Sequence, residues 1–138
     1  MKILVTGASG FIGQNMVNGL RGEHEVIPHE WGQLVPNLED VDWVVHLGAI
    51  SSTVEQNVSK IYNQNLYFSI NLYEECIKNN VNFQFASSAS VYGLKSSFKE
   101  SAPLNPQNHY SRSKVMFEKY IELRKAPITT QTFRYFNV

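Results

Sequence analysis

An α/β fold on a parallel sheet is predicted by three features of this 138-residue chain. Short apolar runs recur along it, stretches with helical spacing separate them, and the first run closes on a glycine-rich turn that leads into a helix. Strands that alternate with helices stack side by side in parallel, because each helix carries the chain back to the same end of the sheet. The result is a Rossmann-type sheet with flanking helices, and such sheets bind ligands outside the carboxyl ends of their strands.

KILVT (2–6) is a compact apolar run of the kind buried on both faces of a sheet. Phe11, Ile12, Met16, Val17 and Leu20 then repeat with helical spacing. HEVIPH (24–29) reads as a second strand, and Pro28 places it at an edge or at its end. DWVVHLGAI (42–50) is a further buried strand. Val54, Val58, Ile61, Tyr62, Leu66, Tyr73, Cys76 and Ile77 predict a long amphipathic helix over 54–77. NFQFASS (82–88) is a strand that ends in small hydroxyls. A loop with Pro103 and Pro106 precedes a helix over 107–124, and ITTQTFRY (128–135) reads as the last strand. Only residues 31–41 separate Glu30 from Asp42, too few for the helix, strand and helix expected there. One βα unit is therefore missing after the second strand, leaving a single turn around PNLEDV.

Composition narrows the function. Apolar residues make up 43% of the chain and charged residues 17%, with a formal net charge of zero. Nucleic-acid binding and intrinsic disorder both normally show in the charge, and neither is expected. The single Cys76 cannot form an internal disulfide or a cysteine metal cluster, and the four histidines lack ligand spacing, so no metal site is expected. No apolar run is long enough to cross a bilayer, and MKILVTG enters its glycine turn too early for a signal peptide. A cytoplasmic location is the expectation.

TGASGFIG (6–13) spaces Gly7, Gly10 and Gly13 three apart between the first strand and the first helix. Glycine there permits a tight turn and close approach of a pyrophosphate, and the helix N-terminus offers free N–H groups. The turn, including Ser9, Phe11 and Ile12, is a candidate dinucleotide site. Glu30 ends the second strand, where a carboxylate accepts from the adenosine ribose and repels a 2′-phosphate. Neither Lys nor Arg occurs between residues 22 and 59, which favours NAD over NADP, with NADP as the alternative. Ser87 and Ser88 close the strand at 82–88, at the reactive end of the sheet. In HYSRSK (109–114), Tyr110 and Lys114 lie four apart and share one helix face. An ammonium beside a phenol lowers its pKa and makes it a usable proton carrier.

Taken together, TGASGFIG, HLGA (46–49), Asn65 in YNQNL, SSASVYG (87–93), ESAPLNP (100–106), YSRSK (110–114) and RYFNV (134–138) resemble the N-terminal half of an extended short-chain dehydrogenase/reductase. The similarity is to its nucleotide-sugar epimerase and dehydratase members. The resemblance implies that Tyr110 is the acid/base, that Lys114 lowers its pKa and binds the nicotinamide ribose, and that Ser88 holds the reacting oxygen. It implies that Leu47, Gly48 and Ala49 line the cofactor with Asn65 nearby, although a buried strand and a hydrogen-bonded core asparagine would account for the same residues. GAISSTVE (48–55) is similar to the corresponding stretch of ADP-glyceromanno-heptose 6-epimerases. Ser51 and Ser52 would suit contact with the sugar or pyrophosphate, or equally a cap for the following helix. Asn137 matches a residue that contacts the substrate's nucleotide.

The resemblance thus reads residues 1–138 as an NAD(P)-binding Rossmann domain that stops before a C-terminal substrate-binding domain. A nucleotide-diphosphate sugar is the implied substrate. A homodimer paired through the helices at 54–78 and 107–124 is also implied, though packing on the sheet explains the same apolar faces. A sugar-nucleotide reductase and a non-catalytic nucleotide-binding module are the competing readings.

Overall fold

The computed structural model describes residues 1–94 and 96–137. Five parallel strands form one sheet in the order β2-β1-β3-β4-β5: β1 Lys2–Thr6, β2 Glu25–His29, β3 Trp43–His46, β4 Asn82–Ser88 and β5 Thr130–Tyr135. The helices are α1 Phe11–Leu20, α2 Val58–Tyr62, α3 Phe68–Lys78 and α4 His109–Arg124. A π-helical turn, Asn63–Tyr67, joins α2 to α3, and a short 3₁₀ turn, Ala89–Tyr92, follows β4.

Alternation along the strands divides the core between the two sheet faces. Ile3, Val5 and Val45 face α1 and pack with Val17. Leu4, Val44, Phe83 and Phe85 face the other way, against Leu72, Tyr73 and Cys76 of α3 and Phe117 of α4. Apolar residues on both faces are what a parallel sheet covered by helices requires. Phe117 is fully buried and meets Phe85 edge-on, with ring centroids 4.7 Å apart.

The missing unit is visible in the topology. Residues 31–42 contain no strand or helix, only two turns, one closed by the Gln33 N–H on the Glu30 carbonyl and one by the Val41 N–H on the Leu38 carbonyl. Leu38 and Val41 still reach the core, and the Asp42 carboxylate accepts from the Lys2 N–H at 2.6 Å, tying the segment to β1. With no strand beyond it, β2 is the sheet edge, where Pro28 is tolerated.

Three boundaries differ from expectation. The strand expected over 42–50 ends at His46, because the chain must leave the sheet where Gly48 meets the backbone of Gly7. The helix expected from Val54 starts at Val58, where Asn57 supplies the cap by accepting from the Lys60 N–H. Neither Ser51 nor Ser52 provides that cap. α4 starts at His109 because Asn108 accepts from the Ser111 N–H at 2.8 Å. Among the described residues, no helix is long and apolar enough to cross a membrane.

Phe117→Ala would remove a ring at the junction of α3, α4 and the sheet. It should lower unfolding stability by about 3–5 kcal/mol, read as a reduced urea midpoint at unchanged slope.

Candidate functional site

β1 and β3 end level with each other, Thr6 beside His46 in register, and their loops open a cleft of about 530 Å³ at the carboxyl end of the sheet. One end is the glycine turn. Gly7 has a φ of +66°, and a Cβ there would stand 2.7 Å from Gly48. A Cβ on Gly13 would stand 2.0 Å from the Gly7 carbonyl oxygen, so the first turn of α1 can lie against β1 only as glycine. Gly10 is different, since its nearest contact would be at 3.3 Å. Gly10 is thus less confined than Gly7 or Gly13, but a Cβ there would still sit tightly against the turn. Ser9, Phe11 and Ile12 line the cleft beside it. Glu30 reaches across from β2, and its carboxylate accepts from the Ser9 N–H at 2.5 Å.

Leu47, Gly48, Ala49 and Ser51 form the floor. Asn65 holds that floor from below: its Oδ1 accepts from the Ile50 N–H at 2.8 Å, and its Nδ2 donates to the Ile50 carbonyl at 3.0 Å and to Ser113 Oγ at 3.2 Å. Beneath the floor runs a directed chain of hydrogen bonds. Ser69 spends its one proton on the Asn65 carbonyl, so it must accept from His46 Nε2 at 2.7 Å. His46 Nδ1 then accepts from Thr6 Oγ1 at 2.6 Å, and Thr6 Oγ1 accepts from the Gly48 N–H at 3.1 Å. Burial, first, and then the charge of Lys114 push the His46 imidazole down to about 3, so it is neutral in the folded protein.

Ser87, Ser88, Tyr110 and Lys114 line the opposite end of the cleft. Ser88 Oγ accepts from Ser90 N–H at 3.2 Å and Ser90 Oγ–H at 2.9 Å, leaving its own proton to give away. The Ser87 hydroxyl is already committed to Glu118. Tyr110 and Lys114 share a helix face as their spacing predicts, but the expected lowering of the phenol's pKa is not found. Lys114 Nζ donates to the Ala86 carbonyl at 2.8 Å and lies 5.8 Å from the Tyr110 ring centroid. Burial pushes the Tyr110 phenol above its ordinary value, and the hydrogen bond with Ser88 offsets only part of that. Burial likewise pushes the Lys114 ammonium down to about 7, against the opposing field of Glu118.

Three expected site residues stand outside the cleft. Asn65 is 1% exposed, with its amide spent on the floor loop and on Ser113, so it is a scaffold for the site. Ser52 accepts from the Val54 N–H within its own turn. Asn137 follows β5, and its neighbours Tyr135 and Phe136 line the cleft in its place. Sequence reasoning in turn missed His29, Trp31 and Phe68, which line the cleft past Glu30. Phe68 stacks on His29 at 6.0 Å and meets Trp31 edge-on at 5.3 Å. An aromatic residue in an otherwise polar loop was the available signal for Trp31.

A glycine turn against a helix N-terminus, with an acidic residue across from it, shares one cleft with Ser88, Tyr110 and Lys114. The model of the NAD dependent epimerase/dehydratase family matches residues 28–138, and the chain belongs to that family. It is 34% identical to an ADP-L-glycero-D-manno-heptose-6-epimerase of Cupriavidus pinatubonensis, an alignment that covers 100% of this chain and 51% of that protein. A Pseudomonas aeruginosa protein of the same name is 33% identical, over the same shares. The chain thus spans about half the length of the curated relatives it matches. Among solved structures, the UDP-glucose 4-epimerase of Thermus thermophilus in complex with NAD superposes with a TM-score of 0.84 at 26% identity, covering 98% of this chain and 55% of that one. The UDP-N-acetylglucosamine 4-epimerase of Methanobrevibacter ruminantium superposes with a TM-score of 0.86 at 25% identity, over 99% and 55%.

The buried imidazole gives the fold an acid-sensitive element. A histidine whose folded pKa lies far below 6.5 binds its proton more readily when unfolded, so its contribution is full above about 6.5 and is lost as pH falls toward about 3. Urea unfolding at a series of pH values should show stability falling across that window by up to about 1.4 kcal/mol per pH unit from this residue. In His46→Gln that part of the slope should disappear.

Proposed function

We propose that this chain is the cofactor-binding and proton-transfer half of an NAD-dependent nucleotide-sugar epimerase or dehydratase. The observation that carries this reading is that one cleft holds the glycine turn and Glu30 at one end and Ser88, Tyr110 and Lys114 at the other. The cradle fits a pyrophosphate: Gly7 and Gly13 have no room for a side chain, and at Gly10 a Cβ would already stand 3.3 Å from the Gly7 carbonyl oxygen. Glu30 would accept from the adenosine ribose, which supports NAD over NADP. NAD supplies a hydride acceptor when bound.

The chain's own residues would handle the proton. Ser88 donates its free hydrogen to the reacting sugar oxygen. Tyr110 passes the proton to or from that oxygen, and with its pKa raised it rests as the acid. Lys114, when charged, favours the phenolate that the oxidative direction requires. Relatives and structural neighbours named for sugars carried on ADP and UDP support a nucleotide-diphosphate substrate, and the 34% identity lends most support to an ADP-linked heptose.

Calorimetric titration of the chain with NAD and, separately, NADP tests the cofactor reading. Saturable binding, tighter for NAD, is expected; binding of neither would overturn it. Gly10→Val, whose Cβ would stand 3.3 Å from the Gly7 carbonyl oxygen, should bind NAD at least roughly tenfold more weakly, a loss of about 1.4 kcal/mol.

Tyr110→Phe should bind NAD as the unchanged chain does. Where sugar turnover is measured, it should lose roughly 10²–10⁴-fold in rate, and full turnover in this variant would remove Tyr110 from its role.

A further inference from the structure

An exposed indole stands at the rim of the cleft on a turn that is closely tied. Trp31 directly follows Glu30, and it lines the cleft while remaining 53% exposed. The turn runs from Glu30 to Gln33 and is closed by the Gln33 N–H on the Glu30 carbonyl at 3.1 Å, with Gly32 at a φ of +85°. Gln33 ties it twice more. Its Oε1 accepts from the Glu30 N–H at 2.8 Å, and its carbonyl accepts from His29 Nε2 at 3.1 Å. One fixed turn therefore presents two groups to the same cleft, the Glu30 carboxylate that reaches the Ser9 N–H and the Trp31 ring.

Two further rings stand behind the indole. Phe68 meets it edge-on, with centroids 5.3 Å apart and planes at 78°. His29 lies nearly parallel to Phe68, at 6.0 Å and 11°. His29 is 3% exposed at the end of β2, so the row of rings is anchored in the sheet and runs outward to an indole that keeps water-facing surface. All three rings line the cleft past Glu30. Free surface on a fixed indole suits a flat heteroaromatic ring, and nucleotide bases stack on aromatic side chains in this way. Glu30 indicates which ring it is. In the proposed function its carboxylate accepts from the adenosine ribose, and the base leaves that sugar beside the side chain that follows Glu30 in the turn.

We propose that Trp31 is the stacking surface for the adenine base of the dinucleotide, held on the Glu30–Gln33 turn with Phe68 and His29 behind it. The proposal rests on reading the cleft as a dinucleotide site. Because Trp31 is more than half exposed, its substitution leaves the core in place.

The test uses the whole chain with AMP, NAD and nicotinamide mononucleotide, which lacks adenine. The two tryptophans are Trp31 and Trp43, and Trp43 opens β3 at the other end of the sheet from the cleft. In Trp43→Phe, excited where adenine does not absorb, Trp31 emission should be quenched saturably by AMP and NAD and left unmoved by nicotinamide mononucleotide. In Trp31→Phe, where Trp43 alone emits, neither AMP nor NAD should change the emission. Calorimetry with AMP separates stacking from apolar bulk: Trp31→Phe should bind within about threefold of the unchanged chain, and Trp31→Leu roughly tenfold more weakly. Equal affinity in those two variants, or Trp31 emission that AMP leaves unmoved, overturns the proposal. Should Trp43→Phe fail to fold, the unchanged chain against Trp31→Phe gives the emission comparison. Failure of NAD to bind while AMP still quenches Trp31 overturns the proposed function and supports the stacking surface, whereas NAD binding with Trp31 unmoved overturns the stacking surface alone.

Discussion

The hydrogen bond between Thr6 and His46 is the interaction on which the site depends. These residues are register partners at the last rung of β1 and β3, and beyond them both strands give way to the loops that make the cleft. Because Ser69 donates to the Asn65 carbonyl, every proton in the chain from Gly48 to Asn65 has one direction. A buried polar network of this kind is favourable only when every member is satisfied, and then it specifies one arrangement. Here it fixes the height of Gly48 against Gly7, where a single Cβ would not fit. The π-helical turn belongs to the same device. Ser69 takes the Asn65 carbonyl four residues back, a bond that often distorts a helix, and Asn65 in that turn reaches both the floor loop and Ser113 at the start of α4.

That rigidity has an electrostatic consequence at the other end of the cleft. Tyr110 and Lys114 are drawn into a wall that favours the uncharged form of each, so burial moves the phenol up and the ammonium down. A spacing argument treats the two as ions in water and keeps only their mutual attraction. At 5.8 Å between ammonium and ring centroid, with the lysine's proton directed at a backbone carbonyl, desolvation outweighs that attraction. Ser88 is the counterweight within reach of the phenol, because its own proton is free.

The parallel sheet, its succession of strands and helices, and most of the cleft lining were legible because they follow from short-range rules: alternation, helical period, and glycines where backbones touch. Gly7, Gly10, Gly13, Glu30, Ser88 and Lys114 all line one cleft, placed there by strand ends, by the turn and first residues of α1, and by the first turns of α4. What was illegible depends on long-range closure. Asn65 looks like a cofactor neighbour in one dimension; only the fold shows that its amide is spent on Ile50, fifteen residues back. Glu118 carries no local mark either, since its partners Ser87 and Arg134 lie on two different strands. Of the two readings of Ser51 and Ser52, the cap does not hold, because Asn57 stands at the helix start and reaches Lys60.

The missing βα unit is tolerated because of where it is missing. An interior strand of a parallel sheet bonds on both sides, so its loss would orphan two ladders, whereas the strand beyond β2 would have bonded on one side only. Its absence exposes an edge already interrupted by Pro28, which lacks a donor. Near this edge the chain places a small group of rings. Phe68 stands against His29, Trp31 and His46. Leu38 and Val41 reach the core from the shortened segment itself. His29, Trp31 and Phe68 also line the cleft past Glu30, so the shortened segment after β2 helps shape the binding site.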